Sequence, residues 1–308
     1  MSDYQIAEAL NRTFHSVNSK LSHMRNSAPV PSSPMPKLDA PLTIEGDALV
    51  LSDVEAPYHH SDFVNRALDL AQAWGIQNLI LAGDMLHYDS LSLWGAEWQA
   101  NAGEIIERVL EVLGDNLRDK AAVISALMDA GLLNINNGYS SEMRAARQVF
   151  SAFSQFGQIY CAIGNHDDRL LRRLDAPLGV DELLRQMGVQ DDGRWHIRPY
   201  YHIILRTEAG EYRITHPRNA GRTAAQDLAV QFHQHVIMGH SHRWSVNRDP
   251  SGKFWAIQTG HCVDETRLAY VMQRDAKRDA HALGATIIRG GYPFVLCEQS
   301  PWDMLRRM

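Results

Sequence analysis

The sequence has few cysteines and no long apolar segment, and both absences limit what the protein can be. Its three cysteines, Cys161, Cys262 and Cys297, are too few and too scattered for a disulfide framework or a thiolate zinc site. No run of 18 or more apolar residues occurs, so we expect no membrane span. The first residues, Met1 to Gln5, lack the basic and then apolar layout of a signal peptide. These features favour a cytoplasmic protein without a membrane partner.

The 308-residue chain also lacks an excess of positive charge. It has 30 Lys and Arg against 36 Asp and Glu, a formal net charge of −6. This balance argues against a large basic surface that follows nucleic-acid phosphates without regard to sequence. Nucleic acid stays open as a substrate, because bound metal cations add positive charge that the formal count omits. The sequence is rich in histidine, with 15 residues, and their positions decide whether they form a site.

Residues 1–27 carry the periodicity of two short helices. Apolar residues recur at helical spacing in two groups: Ile6, Ala7 and Leu10, then Val17, Leu21 and Met24. The segment 6–21 resembles the second half of a helix-turn-helix DNA-binding module, and this resemblance implies DNA contact through residues 4–26. The alternative is an amphipathic helical pair that docks on the body of the protein or on another subunit.

The rest of the chain is predicted to consist of a linker and one catalytic domain. Residues 28–41 hold five prolines without periodicity, which predicts a semi-extended linker, and the domain then spans 42–308. Apolar runs at 48–52 and 78–82 flank a helical pattern at 62–74, so they form a βαβ unit with parallel strands. Further strands are predicted at 158–163, 201–206, 211–215, 236–238, 253–259, 283–289 and 292–298. Residues 90–156 are predicted to form a mostly helical insertion, either a lid or partner surface or extra packing over the sheet edge.

Five of the predicted strands end in polar residues. These residues are Asp53 with Glu55, Asp84 with His87, Asn165 with His166 and Asp167, His216 alone, and His240 with His242. Ligands bind beyond the carboxyl ends of strands in an open α/β sheet, so we expect these side chains to converge. Any one cluster alone would suit a turn or a helix cap. All five together indicate a shared functional site.

These motifs resemble, in their order, those of the calcineurin-like metallophosphoesterases. The most specific are Gly-Asn-His-Asp at 164–167 and Gly-His-Ser-His at 239–242, and the resemblance spans roughly residues 48–245. It implies an α/β fold (α+β by some schemes) in which two packed β-sheets are flanked by helices, here with a short N-terminal helical segment added. It also implies hydrolysis of a phosphoester at two divalent metal ions, which together lower the pKa of a bridging water and so supply hydroxide.

The resemblance implies a role for each motif residue. Asp84 would bridge the two ions, Asp53 and His242 would complete one site, and Asn165, His216 and His240 would complete the other. His166 would face the substrate as proton donor or transition-state stabiliser. Asp167 would orient His166 or stabilise its imidazolium form. Arg169, one turn further on, either pairs with a phosphate oxygen or is a surface charge.

The first motif departs from the family pattern, because Glu55 stands where a histidine is usual. Oxygen ligands combined with imidazoles suit Mn²⁺, Fe²⁺ or Zn²⁺, and a further carboxylate favours Mn²⁺ or Mg²⁺ over Zn²⁺. We therefore expect Glu55 to be a direct or water-mediated ligand and Mn²⁺ to be the ion. The alternatives are that His59 or His60 supplies the ligand, or that this site binds metal weakly.

Neighbouring polar residues have secondary roles in this interpretation. His87 and Asp89, just past the bridging carboxylate, are expected to orient ligands. His261 follows a glycine at a strand end, and we expect a structural role, with a substrate-facing role as the alternative.

The substrate class follows from the resemblance and from the N-terminal segment. The superfamily includes protein phosphatases, nucleotide phosphodiesterases and DNA nucleases. A helix-turn-helix-like segment beside such a domain resembles proteins of phage genomes, which act in the host cytoplasm. We expect a phosphodiesterase acting on nucleic acid or nucleotides. The alternatives are a phosphomonoesterase or protein phosphatase, and a DNA-binding or assembly protein whose metal site is degenerate.

Overall fold

The computed structural model describes residues 2–26, 40–87, 139–168, 189, 192–268 and 281–308. Contacts between residues separate the chain into two compact units, Met1–Ala40 and Pro41–Met308. No helix within the described segments has the length and apolar character that a membrane span requires.

The described part of the first unit contains two helices, as the periodicity predicts: α1 (Asp3–Ala9) and α2 (Phe14–Asn26). Helix α1 begins with a capping box, in which the Gln5 main-chain N–H donates to Ser2 Oγ and the Ser2 N–H donates to Gln5 Oε1 at 2.7 Å. The rings of Tyr4 and Phe14 stack with 4.0 Å between centroids, which joins the starts of the two helices.

The second unit contains two six-stranded sheets within its described residues. The strands are β1 (Thr43–Glu45), β2 (Ala48–Leu51), β3 (Asn78–Ala82), β4 (Gln158–Ala162), β5 (Trp195–Ile197), β6 (His202–Thr207), β7 (Gly210–Thr215), β8 (His235–Met238), β9 (Trp244–Arg248), β10 (Trp255–Thr259), β11 (Gly284–Arg289) and β12 (Tyr292–Cys297). The first sheet has the order β1-β6-β7-β8-β10-β9, and the second has the order β12-β11-β2-β3-β4-β5. Both sheets mix parallel and antiparallel pairs.

Parallel pairing sets several strand ends side by side. In the second sheet, β2, β3 and β4 run parallel to one another, which confirms the predicted βαβ unit. In the first sheet, β7 and β8 run parallel, while β6 and β7, both near predicted strands, form an antiparallel pair that turns at Ala209 and Gly210. Polar residues that follow β2, β3 and β4 therefore lie at one edge of their sheet, and those that follow β7 and β8 lie at one edge of the other.

The two sheets pack face to face, which confirms the predicted sandwich. Val50 and Ile80 of the second sheet share one buried cluster with Ile214, Ile237 and Ile257 of the first. Full burial of such a side chain contributes roughly 1.5–3 kcal/mol relative to exposure, so this layer stabilises the scaffold that carries the site.

Helices cover the outer faces of both sheets. Helix α3 (Ser61–Ala73) and helix α4 (Tyr139–Phe153) bury an aromatic face, including Phe63 and Phe150, against Leu79 and Leu81 of β3. Helix α5 (Ala224–Phe232) packs its small residues, such as Ala225 and Ala229, against Val236 of β8. A short helix, α6 (Trp302–Leu305), ends the described chain, and its Trp302 ring meets Phe63 edge-on.

The predicted insertion at 90–156 is described only in part, because residues 90–138 lie outside the described residues. Its last portion forms α4, and one apolar face of this helix is buried. That face consists of Met143, Ala146, Val149, Phe150 and Phe153, all of which belong to the core under the second sheet. This portion therefore packs against the second sheet. The helical structure of the rest of the insertion stays a prediction.

Candidate metal centre

The five polar clusters predicted at strand ends follow strands in the structure as well. Asp53 and Glu55 come after β2, Asp84 after β3, Asn165 to Asp167 after β4, His216 after β7 and His240 with His242 after β8. Two distances join the sheets directly: His216 Nε2 lies 3.1 Å from Asp84 Oδ2 and 3.1 Å from Asn165 Oδ1. The predicted convergence is therefore present across both sheets.

One part of the centre contains the residues predicted to hold the second ion. The ligand atoms of Asp84, His216 and His240 lie within 4.8 Å of one another. The rings of His216 and His240 have centroids 5.0 Å apart. Asn165 joins the group through its contact with His216 Nε2. These four side chains offer two oxygens and two imidazole nitrogens, which is a donor set suited to Mn²⁺, Fe²⁺ or Zn²⁺.

The adjoining part contains the residues predicted to hold the first ion. His242 Nε2 lies 3.5 Å from Asp53 Oδ1 and 3.2 Å from Glu55 Oε1. The ligand atoms of these three residues also lie within 4.8 Å of one another. Both carboxylates have no solvent exposure. Buried carboxylates are costly unless they are paired or coordinate a metal, so this donor set fits a divalent cation.

Glu55 is the residue of the first motif whose role as a metal ligand the sequence left open. Its Oε2 contacts His87 Nδ1, while its Oε1 is buried without a hydrogen bond to a described residue. His60 Nδ1 is engaged elsewhere, because it accepts the Phe63 main-chain N–H at the start of α3. His59 Nε2 lies 3.2 Å from Ser61 Oγ. Glu55 shares a group of possible ligand atoms with Asp53 and His242, whereas no such group among the described residues includes His59 or His60. That Glu55 binds the ion stays a prediction.

Backbone strain is concentrated at this centre. Of the seven non-glycine residues with positive φ in the described chain, five are predicted metal ligands. They are Asp53 (51°), Glu55 (44°), Asp84 (49°), His240 (71°) and His242 (54°). A non-glycine residue in the left-handed region costs of order 1–3 kcal/mol and persists where its surroundings enforce it, which happens most often at functional sites. These backbone conformations lower the stability of the fold, and they direct the five side chains toward the centre.

Glycines in the motifs allow the strand-end loops to approach closely. A Cβ added to Gly164 would lie 2.2 Å from the Asp84 main-chain nitrogen and 2.1 Å from its Oδ1. A Cβ added to Gly239 would lie 1.7 Å from Ser52 Oγ. All three distances are shorter than any non-bonded contact permits. The glycine that precedes Asn165 and the one that precedes His240 are therefore steric requirements of the centre.

Main-chain N–H groups hold the two central carboxylates. The His240 N–H donates to Asp53 Oδ2 at 3.0 Å, and the His166 N–H donates to Asp84 Oδ1 at 2.7 Å. His216 is fixed through its Nδ1, which donates to the Ala82 carbonyl oxygen at 3.0 Å. That contact leaves Nε2 on the side of Asp84, so the neutral ring with its proton on Nδ1 offers the Nε2 lone pair to a metal ion.

Charge coupling between Asp84 and His216 shifts both pKa values. Burial raises the pKa of Asp84, but the charges of His216 and His166 outweigh it and lower the pKa below its usual range. Burial lowers the pKa of His216, but the charge of Asp84 and its hydrogen bond raise the pKa to about 9. Without an ion, a proton on His216 therefore neutralises part of the carboxylate charge.

His166 is buried beside the centre. Its Nδ1 lies 2.9 Å from the His87 carbonyl oxygen, and its Nε2 lies 3.8 Å from Asp84 Oδ2. This arrangement makes Nδ1 the donor to the carbonyl and leaves Nε2 on the side of the centre.

Asp167 makes contacts that differ from the role implied by the resemblance. Its carboxylate accepts main-chain N–H groups from Gly164 at 2.9 Å, Met85 at 3.1 Å and Leu86 at 3.3 Å. Burial and then the charge of Asp84 raise the pKa of Asp167 to about 7. These hydrogen bonds tie two strand-end loops together, while the ring of His166 contacts the His87 carbonyl. The role of Asp167 toward His166 stays a prediction.

Two predicted residues cannot be placed, because Arg169 and Asp89 lie outside the described residues. His87 is placed: its ring contacts Glu55 and its carbonyl contacts His166, in agreement with an orienting role. His261 stacks on His242 with 4.8 Å between centroids, and its Nδ1 is buried without a hydrogen bond to a described residue.

Sequence reasoning missed two residues that meet the centre from outside the motifs. Glu265 Oε1 lies 3.1 Å from His242 Nδ1, and His281 Nδ1 lies 2.9 Å from the same oxygen. With His242 they form a further group of ligand atoms within 4.8 Å. Neither residue follows a predicted strand or belongs to a recognised motif, so no local pattern points to them.

Comparisons with known proteins add similarity at the level of solved structures only. The structure of Vacuolar Protein Sorting 29 from Cryptosporidium parvum covers 82% of this chain and 96% of its own, with 11% identity and a TM-score of 0.36. A conserved uncharacterized protein and predicted phosphoesterase from Streptococcus pneumoniae TIGR4 covers 82% and 98%, with 10% identity and a TM-score of 0.31. Similarity this low carries no argument about activity. No protein-family model and no curated protein matches the sequence.

Proposed function

We propose that the protein is a calcineurin-like, metal-dependent phosphoesterase with two divalent ions at the strand-end centre. The observation that carries this proposal is the burial of Asp53, Glu55 and Asp84 against His216 and His242 at 3.1–3.5 Å. Carboxylates this buried are costly unless they are paired or coordinate a cation, and the neighbouring imidazoles complete a set of metal ligands. Glu55 Oε1 lies in the same place, 3.2 Å from His242 Nε2 and without a hydrogen bond of its own among the described residues, so it is available as a ligand atom.

The donor atoms divide into two ligand sets that share one carboxylate. Asp84 would bridge, Asp53, Glu55 and His242 would complete the first site, and Asn165, His216 and His240 would complete the second. The first site then has three carboxylates and one imidazole. Such an oxygen-rich set is hard and anionic, so we propose Mn²⁺ as its ion, ahead of Fe²⁺, Zn²⁺ or Mg²⁺.

The chemistry proposed for this centre is hydrolysis of a phosphoester. Two bound divalent ions polarise the phosphoryl oxygens and lower the pKa of a coordinated water. His166 is the proton donor to the leaving oxygen, because its Nδ1–H is committed to the His87 carbonyl and its Nε2 faces the centre. General acid catalysis of this kind contributes on the order of 10²–10⁴ in rate. Asp167 maintains the loop geometry on which both residues depend.

The proposed substrates are phosphodiesters of nucleic acid or nucleotides. Both phosphodiesters and phosphomonoesters expel an alkoxide that needs a proton, which a buried histidine beside the centre can supply. The choice of diesters therefore rests on the N-terminal segment. The helical pair α1 and α2 resembles part of a helix-turn-helix module, and its second helix exposes polar residues, including Asn18 and Lys20. DNA contact through residues 4–26 is part of this proposal.

Hydrolysis of bis-p-nitrophenyl phosphate, compared with p-nitrophenyl phosphate, tests the proposal in the presence of Mn²⁺. We expect diester turnover in the full chain and its loss in Asp84→Asn, which keeps the size of the side chain but removes the bridging charge. Turnover of the monoester alone would identify a phosphomonoesterase and contradict the diester assignment. A panel of single-stranded DNA, duplex DNA, RNA and cyclic nucleotides then ranks the natural substrate classes.

A further inference from the structure

The two ring nitrogens of His242 face different partners. Nε2 points into the centre, 3.5 Å from Asp53 Oδ1 and 3.2 Å from Glu55 Oε1. Nδ1 points away from it and lies 3.1 Å from Glu265 Oε1. A neutral imidazole carries one N–H, and the partner of one nitrogen decides where that proton sits. When a metal ion takes the Nε2 lone pair, the ring keeps its one proton on Nδ1. Glu265 holds that proton there, because an ionised carboxylate only accepts hydrogen bonds.

A second histidine contacts the same oxygen of Glu265. His281 Nδ1 lies 2.9 Å from Glu265 Oε1, so this oxygen receives two ring nitrogens. Two donors restrict the carboxylate in position and direction more than one does. The Glu265 side chain is 15% exposed, whereas that of His281 is 26% exposed. His281 is therefore the more exposed of the two, and its contact restrains Glu265 beside His242.

The main chain keeps these residues together. Ala282 donates its N–H to the His242 carbonyl oxygen at 3.0 Å, and residues 243 and 281 form a β-bridge. Glu265 begins a 3₁₀ turn, Glu265–Arg267, which Asp264 caps by accepting the Thr266 N–H at 3.2 Å. The segment that carries His281 is therefore hydrogen-bonded to the main chain of His242, the residue whose side chain Glu265 contacts.

This cluster could alternatively bind a third metal ion, since His242, Glu265 and His281 offer three donors within 4.8 Å. It would require His242 to bind metals through both nitrogens and so to lose both ring protons. An orienting hydrogen bond at Nδ1 needs no such deprotonation. The contacts therefore favour support of the first ion over a site of their own.

We infer that Glu265 and His281 are positioning residues for the first metal ion, with Glu265 fixing the tautomer and direction of His242 and His281 fixing Glu265. The inference rests on the proposed function, because it assigns Nε2 of His242 to that ion. Loss of such an outer partner typically weakens metal binding by about 10- to 100-fold. The effect is specific to one ion, since the second set depends on other residues.

Binding of Mn²⁺ to the metal-free full-length protein, followed by electron paramagnetic resonance, tests this inference without reference to turnover. We expect two ions in the wild type, and in Glu265→Ala we expect one of them to bind 10- to 100-fold more weakly while the other is unchanged. Glu265→Gln, which keeps the shape and an accepting oxygen, should lose less. His281→Asn, which retains an N–H donor, should retain affinity better than His281→Ala.

Two comparisons separate positioning from general damage to the fold. Arg267→Ala changes an exposed side chain on the same 3₁₀ turn, paired with Asp264 at 3.1 Å, and should bind both ions as the wild type does. In a Glu55→Ala background, where the first ion is already weakened, Glu265→Ala should not affect the remaining ion. Unchanged Mn²⁺ binding in Glu265→Ala, or equal weakening of both ions, would overturn the inference. A wild type that binds no Mn²⁺ would instead overturn the proposed function on which it rests.

Discussion

The main-chain N–H of His166 donates a 2.7 Å hydrogen bond to Oδ1 of Asp84, so the proposed proton donor also holds the proposed bridging carboxylate. The two roles belong to different parts of one residue. The backbone fixes Asp84, while the ring lies with Nε2 3.8 Å from Asp84 Oδ2. Changes in the His166 side chain should therefore separate catalysis from metal binding.

Replacement of His166 by alanine should leave both metal ions bound and lower kcat for a diester by about 10²–10⁴. The reason is that the bond to Asp84 comes from the main chain and survives the substitution. Metal content and kcat measured on the same preparation check this expectation. His196→Ala is a matched control, because His196 lies on edge strand β5, where its ring contacts Gln158 of β4, and it should be dispensable for turnover. Full activity in His166→Ala would remove His166 from the mechanism.

Replacement of Gly164 by alanine should abolish binding of both ions. The new Cβ would lie 2.1 Å from Asp84 Oδ1, which forces the bridging carboxylate out of position. Gly221→Ala is the control, because its added Cβ meets only the flexible Asn219 side chain, at 3.2 Å. Metal content decides the outcome, with thermal unfolding to show that both variants fold. Two ions in a folded Gly164→Ala protein would mean that Asp84 is not required where we place it.

Replacement of Glu55 by alanine should weaken the first ion and spare the second. Glu55→His, which introduces the residue type usual in the resembled family, should bind the first ion again with a preference shifted from Mn²⁺ toward Zn²⁺. Titration of each variant with the two metals measures the preference. His60→Ala removes the alternative ligand and should keep the wild-type metal content, with about 1 kcal/mol lost from the cap of α3. Loss of metal in His60→Ala alone would reverse this assignment.

Metal affinity should rise with pH between about 6.5 and about 9. Burial lowers the pKa of His216 and Asp84 raises it to about 9, so His216 is protonated in the metal-free protein at pH 7. A metal ion needs the neutral ring, and binding must therefore release a proton. In the metal-free protein the raised pKa of His216 also stabilises the fold. This contribution is fully present below about pH 6.5, the ordinary pKa of histidine, and it is lost as the pH rises through about 9.

Calorimetric titration of Mn²⁺ in two buffers of different ionisation enthalpy at pH 7 counts the released protons. The expected result is a proton release at pH 7 that falls toward zero above pH 9, together with the rise in affinity. Binding that is independent of buffer and pH would show that His216 is already neutral before the metal arrives.

Much of the sandwich could be predicted from the sequence, because its central strands are buried on both faces and read as short apolar runs. The run at 78–82 coincides with β3, and the run at 48–52 is one residue longer than β2. Three strands were missed: β1, β5 and β9. The first two have only three residues each, and β9 is an edge strand with the polar sequence Trp-Ser-Val-Asn-Arg, so none of them has a strand-like pattern.

Some residues of the candidate site could be predicted from local sequence patterns, and others are brought to it only by long-range contacts. The predicted ligands come directly after regular strands and within glycine-containing motifs, so their convergence follows from sheet geometry. Glu265 and His281 come from a 3₁₀ turn and an isolated bridge, and only tertiary hydrogen bonds such as that between Ala282 and His242 bring them to the centre. The contacts of Asp167 were also beyond prediction, because they are made with the main chain of another loop.

The metal content of the purified full-length protein after reconstitution with Mn²⁺, measured beside that of Asp84→Asn, tests the central claim most directly. We predict two Mn²⁺ ions per chain in the wild type and loss of both in the variant, since Asp84 is the one carboxylate shared by the two ligand sets. A wild type that binds no Mn²⁺, or an Asp84→Asn protein that retains two ions, would contradict the two-metal centre.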